Sequence, residues 1–193
     1  DGLMTAMKAR QKQIDAKIKP IGEASKIADA LQVAVYKRKK DDEFREINRL
    51  QGHDNSVEAV AFSPDGETIA TAGGDNTVKL WNRQGKLLQT LTGHDNSVID
   101  IAFSPDGETI ATCAGKTVKL WNQQGKLLQT FTGHQNEVYG IAFSPDGETI
   151  ATASGDKTVK LWNQQGKLLE TLTGHKHWVK ACLLYTSPSP RDL

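Results

Sequence analysis

His53, Thr71 and Asp75 are the residue types in this chain with the most suggestive chemistry. An imidazole between a carboxylate and a hydroxyl is the arrangement that activates an oxygen nucleophile: the ring takes the proton and the carboxylate orients the ring. Trp81 follows them, and the set returns as His134, Thr152, Asp156 and Trp162. It returns again, incompletely, as His94, Thr112 and Trp121. An active site has no reason to be stamped into every copy of a repeat. A structural network has one, because a buried imidazole and a buried indole N–H each need a partner. The residues are therefore read as structural, and no catalytic residue is expected. In the middle copy, Thr112-Cys113-Ala114-Gly115-Lys116 is one residue shorter than the run from Thr71 to Asn76 and contains no Asp. His94 is expected to lose its partner, and its unit to be the least stable.

The elements that position these residues are written in a period. His53, His94, His134 and His175 each follow a Gly, at spacings of 41, 40 and 41. Three units result, 52–92, 93–132 and 133–173, and a fourth starts at 174–181. Each unit reads as four short strands. In the first, VEAVAF is nearly all apolar, as suits a strand covered on both faces. Pro64-Asp65-Gly66 makes a turn, with Gly at the site that needs positive φ. ETIATA, a turn at GGDN, TVKLWN, a turn at Gln84-Gly85 and KLLQTL follow. The strands are β-branched and aromatic with closely spaced turn signals. Near-identical units of this size cannot each bury their own faces, so they must stack on one another.

Gly-His, then Trp-Asn at Asn82, Asn122 and Asn163, with FSPDG and TVKLW between, resembles the WD40 repeat, in which Trp-Asp is usual at the last position. The resemblance covers residues 44–181, and the near-identity of the copies is similar to that of bacterial members. It implies a mainly β fold, an incomplete WD40 β-propeller of three full four-stranded blades plus partial units. It also implies that His, Asp, Thr and Trp of a unit form one hydrogen-bonded chain from the Gly-His loop to the indole. Propellers typically have 4–8 blades. An open fan is therefore expected, with further blades required for closure and self-association through uncovered faces.

Framework positions agree between units: Phe62 with Phe103 and Phe143, Ile69 with Ile110 and Ile150. Differences gather at the start of the first strand and in the loop after Gly-His. In a propeller these lie on one rim. A scaffold held constant while one rim varies is what a recognition surface requires. The expected partner-binding residues are Glu58, Ile99, Asp100, Tyr139, Trp178 and Lys180, with Tyr139 and Trp178 as anchors.

Residues 1–43 read as a helical connector, from Ile14, Ile18 and Ile21 and then Ile27, Leu31, Ala34 and Val35. Residues 44–51 align with the fourth strand of a unit and read as an orphan outer strand of the blade-closing type. The connector is similar to the one that joins an upstream NTPase or other signalling module to the propeller in large bacterial WD-repeat proteins. From Cys182 the repeat fails. Residues 182–192, CLLYTSPSPRD, can be back-translated to a string resembling a transposase-type sequencing adapter, so 182–193 are set aside as an artefactual tail.

With 24 basic and 23 acidic residues the chain has a formal net charge of +1, which creates no field for nucleic acid or anionic membrane. Lys37-Arg38-Lys39-Lys40 is followed at once by Asp41-Asp42-Glu43. Two distant cysteines make neither a disulfide framework nor a metal pattern, so no cofactor or metal and a cytoplasmic, reducing compartment are expected. The reading is a non-catalytic protein-interaction scaffold in signal transduction, binding proteins or peptides on the propeller face. The alternative is the regulatory part of a multidomain NTPase, protease or kinase.

Overall fold

The computed structural model describes residues 33–38 and 44–182, with side chains from Arg49 onward. Every regular element among these residues is a strand. Three four-stranded antiparallel sheets follow one another along the chain. The first holds β3 (Val57–Phe62), β4 (Thr68–Gly73), β5 (Val78–Asn82) and β6 (Leu87–Leu91). The second holds β7 (Val98–Phe103), β8 (Thr109–Ala114), β9 (Thr117–Asn122) and β10 (Leu127–Phe131). The third holds β11 (Val138–Phe143), β12 (Thr149–Ser154), β13 (Val159–Asn163) and β14 (Leu168–Leu172). Strand order within each sheet follows the chain, as short turns between antiparallel neighbours dictate.

The turns explain why the strands begin where they do. Gly66 adopts φ 71°, and the Ser63 hydroxyl accepts the Thr68 N–H at 2.9 Å while Asp65 accepts the Glu67 N–H at 2.9 Å. The sheets stack as blades, with β7 lying against β3 and against β11, so β3, β7 and β11 line the inside of the fan. Small side chains in the middle strands, such as Ala70, Ala72 and Ala111, let adjacent blades approach closely. One apolar core joins blades 1 and 2 through Leu80, Leu91, Ile101 and Ile110. A second joins blades 2 and 3 through Leu120, Phe131, Ile141 and Phe143.

Among the described residues the fan is open at both ends. Val60 is 45 % exposed, while its equivalents Ile101 and Ile141 are 6 % and 5 % exposed. At the other end Leu172 is 41 % exposed, against 1 % for Leu91 and 2 % for Phe131. The same residue position is thus core or surface according to whether a neighbouring blade covers it.

The helical reading of the connector is corrected over its last part. Val33–Arg38 is a strand, β1, paired antiparallel with β2 (Phe44–Leu50), with a bulge between Val35 and Tyr36. Val33, Val35 and Tyr36 favour a strand, and pairing satisfies the backbone of both segments. β2 therefore has a partner strand rather than standing alone. Leu50 is buried against Ile69 and Trp81, much as Leu91 joins Ile110 and Trp121 one blade on. Residues 1–32 and 39–43 of the connector and 183–193 of the set-aside tail lie outside the described residues. Cys182 is described, and its backbone abuts Gly140.

Candidate functional site: the loop face of the blades

In blade 1, His53 Nδ1 lies 3.0 and 2.9 Å from the two Asp75 oxygens, and Nε2 lies 2.8 Å from Thr71 Oγ1. Trp81 donates its indole N–H to the same Thr71 oxygen at 2.9 Å. Blade 3 repeats this with His134 Nδ1 to Asp156 at 2.7 Å, Nε2 to Thr152 Oγ1 at 2.7 Å and Trp162 to Thr152 at 2.9 Å. The network also takes in residues that sequence reasoning missed. Thr77 and Thr158 each donate a hydroxyl to the acid, at 2.7 and 2.6 Å, and an Asp-x-Thr spacing in both loops was the available signal.

These contacts decide the chemistry. Thr71 is 1 % exposed and Thr152 is fully buried, so neither oxygen can meet a substrate, and each is already engaged by a tryptophan. Burial pushes the Asp75 carboxyl up, but the bonds from Thr77, the Asp54 N–H and His53 outweigh it and hold the pKa at about 2. Asp156 is held well below the usual range by the same balance of burial against bonds from Thr158, the Gln135 N–H and His134.

Blade 2 keeps half of the chain. His94 Nε2 is 2.7 Å from Thr112 Oγ1, and Trp121 donates to Thr112 at 2.8 Å. His94 Nδ1 is buried without a hydrogen-bond partner among the described residues. Burial, reinforced by Lys119, pushes the His94 pKa down to about 4, so the ring is neutral at pH 7. A buried unpaired N–H costs more than an under-used acceptor. His94 therefore carries its proton on Nε2, toward Thr112, whereas in blades 1 and 3 Nδ1 faces an acid that accepts from it.

The rim residues separate into three situations. Tyr139 and Trp178, from adjacent units, are brought together: their rings stack with centroids 5.9 Å apart at 29°, and Trp178 is 56 % exposed. Tyr139 donates its hydroxyl to Glu137 at 3.0 Å, which adds Glu137 to the set. Glu58 and Lys180 are exposed, and Glu58 accepts the Ser56 hydroxyl within its own blade at 2.5 Å. Ile99 is half-buried against the core between blades 2 and 3. Asp100 is turned inward, with one oxygen accepting the Ile101 N–H and the other the Ile141 N–H, both at 2.9 Å. Its side chain thus ties blade 2 to blade 3. Burial pushes its pKa up to about 6 against the pull of those two bonds. Burial and then Asp100 raise the neighbouring Cys182 thiol to about 11. Among the described residues no group of His, Cys, Asp and Glu is placed to hold a metal ion.

Stacked four-stranded antiparallel blades, each with a histidine-to-tryptophan chain at its loop end, define a propeller-type repeat protein. The family model for the WD domain, G-beta repeat, matches residues 44–82, 85–122 and 125–163, more than half of the sequence, and the chain belongs to the WD40 repeat family. The family unit runs from the fourth strand of one blade through the third strand of the next. An uncharacterized WD repeat-containing protein of Synechocystis is 53% identical over 47 residues, 23% of this chain and 14% of that protein. Ribosome assembly protein 4 of Chaetomium thermophilum is 57% identical over 44 residues, 22% of this chain and 8% of that protein. The crystal structure of the RRP9 WD40 repeats aligns with TM-score 0.65 and 33% identity over 68% of this chain and 43% of that one. The chain thus spans less than half the length of these relatives.

Proposed function

We propose that the chain is a non-catalytic protein-interaction platform whose partner meets the loop face at Tyr139 and Trp178, with Glu58, Ile99 and Lys180 around them. The observation that carries this reading is the stacked pair at the junction of units 3 and 4, with the tryptophan more than half exposed. Large amphipathic aromatics on a rigid scaffold supply contact area at low entropic cost. Asp100 contributes indirectly, by fixing the blade that presents Tyr139. Family membership supports the platform reading, and a relative named for ribosome assembly fits work within a complex. A reducing compartment agrees with the free, buried thiol of Cys113, and no helix among the described residues is long and apolar enough to cross a membrane.

The finer assignment, the docking half of a larger signalling protein, rests on the resemblance of the connector, and β1 removes part of that support. Quantitative cross-linking from the source cell, comparing the chain with its Tyr139→Ala and Trp178→Ala variants, tests the platform reading. The expected result is one or more proteins recovered by the parent and lost with both variants, at unchanged melting temperature. Equal recovery by all three removes this face as the contact.

A further inference from the structure

We propose that the loop end of blade 2 is a carboxylate-binding site, formed by His94 Nδ1 and the Asp95 backbone N–H. Blades 1 and 3 show what such a site holds. Asp75 Oδ2 accepts the Asp54 N–H at 3.0 Å and faces His53 Nδ1 at 2.9 Å. Asp156 Oδ2 accepts the Gln135 N–H at 3.0 Å and faces His134 Nδ1 at 2.7 Å. Two neighbours of the same architecture therefore seat a carboxylate oxygen between the ring and the next backbone amide. Blade 2 retains the ring in the same setting, 6 % exposed and fixed through Nε2 to Thr112. Its hairpin is one residue shorter: Ala114 pairs with Thr117 across the two-residue turn Gly115-Lys116, with Gly115 at φ 53°. No acid stands in that turn, though the Asp95 carboxylate, at the position of Asp54 in blade 1, acts on the ring, opposed by Lys119.

The ligand class follows from the donors. With its proton on Nδ1, as the rings of blades 1 and 3 are oriented toward their acids, His94 and the Asp95 N–H would offer two donors to a single anionic oxygen, and such bonds are stronger than those to a neutral acceptor. Binding needs no net proton uptake. The carboxylate accepts a proton held on Nδ1, so the His94 proton leaves Nε2, and the Thr112 hydroxyl turns to donate to Nε2. Because Nδ1 is buried, entry requires the Gly115-Lys116 tip to move aside. The carboxylate can come from a free small acid or from an Asp or Glu side chain of a bound peptide. The site does not depend on the partner-binding reading above.

The full chain with 15N-labelled histidine is titrated with sodium formate and acetate, against sodium chloride at equal ionic strength. The expected result is a saturable change of the His94 Nδ1 resonance from lone-pair type to N–H type, with a saturable rise in melting temperature. A chain with Asp inserted between Gly115 and Lys116 should show N–H type Nδ1 from the outset and respond only as it does to chloride. N-acetyl-aspartate amide is compared with its asparagine counterpart. Competition by the aspartate compound alone assigns the site to a peptide side chain, and response to formate and acetate alone assigns it to free anions. A His94 signal that moves no further than in chloride overturns the proposal, as does an equal response from the inserted chain.

Discussion

His94 and Asp100 titrate with opposite effects on stability. The pKa of His94 falls from 6.5 unfolded to about 4 folded. Its contribution is present above pH 6.5 and is lost as pH falls toward 4. The pKa of Asp100 rises from 3.8 to about 6, so its contribution is full below 3.8 and is lost as pH rises through 6. Between pH 4 and 6 the two offset one another. Asp100→Asn should uncover the His94 limb, a loss of up to about 3 kcal/mol between pH 6.5 and 4. Urea midpoints across that range measure it, and a variant profile parallel to the parent's would refute it. The histidine network was legible because its residue types recur at one spacing. The inward turn of Asp100 was not, since its second bond goes to Ile141 in the next blade, one repeat away.

The short β8–β9 hairpin is the element that separates blade 2 from its neighbours. Three residues, Gly74 to Asn76, lie between Gly73 and Thr77 in blade 1, where the Gly73 N–H bonds to the Thr77 carbonyl at 3.0 Å, against two between Ala114 and Thr117 in blade 2. Inserting Asp between Gly115 and Lys116 restores that loop length and an acceptor for His94. Each restored bond is worth about 1 kcal/mol net. The urea midpoint should rise, and an unchanged midpoint would mean that the orphaned Nδ1 costs nothing. The strands and turns of the blades were legible because SPDG and the Gly-His loop mark their ends. The segment before β2 was misread because Ala34 and Val35 fit an apolar helical stripe and a strand equally well. Only the presence of Phe44–Leu50 as a pairing partner decides between them.

For the whole molecule, the two open faces set the solution behaviour. Val60 and Phe62, 45 % and 47 % exposed, lie at one end and Leu172 at the other. These are the positions that form the cores between blades, so association through them reuses contacts the fold already makes. Phe62→Glu and Leu172→Glu should each lower the weight-average mass seen by sedimentation. A parent chain that is already monomeric at high concentration would contradict this. The need for such cover was legible from the blade count, whereas the identity of a partner depends on groups outside this chain.

Blade 2, with a neighbour on each side, is also the blade whose network is incomplete. The incomplete network is held from both sides, by the contact of β7 with β3 and by its contact with β11. Position thus supports a blade in which His94 Nδ1 is left unpaired among the described residues. In an array of stacked units, the blade that can spare a bond from its own network is the one its neighbours grip from both sides.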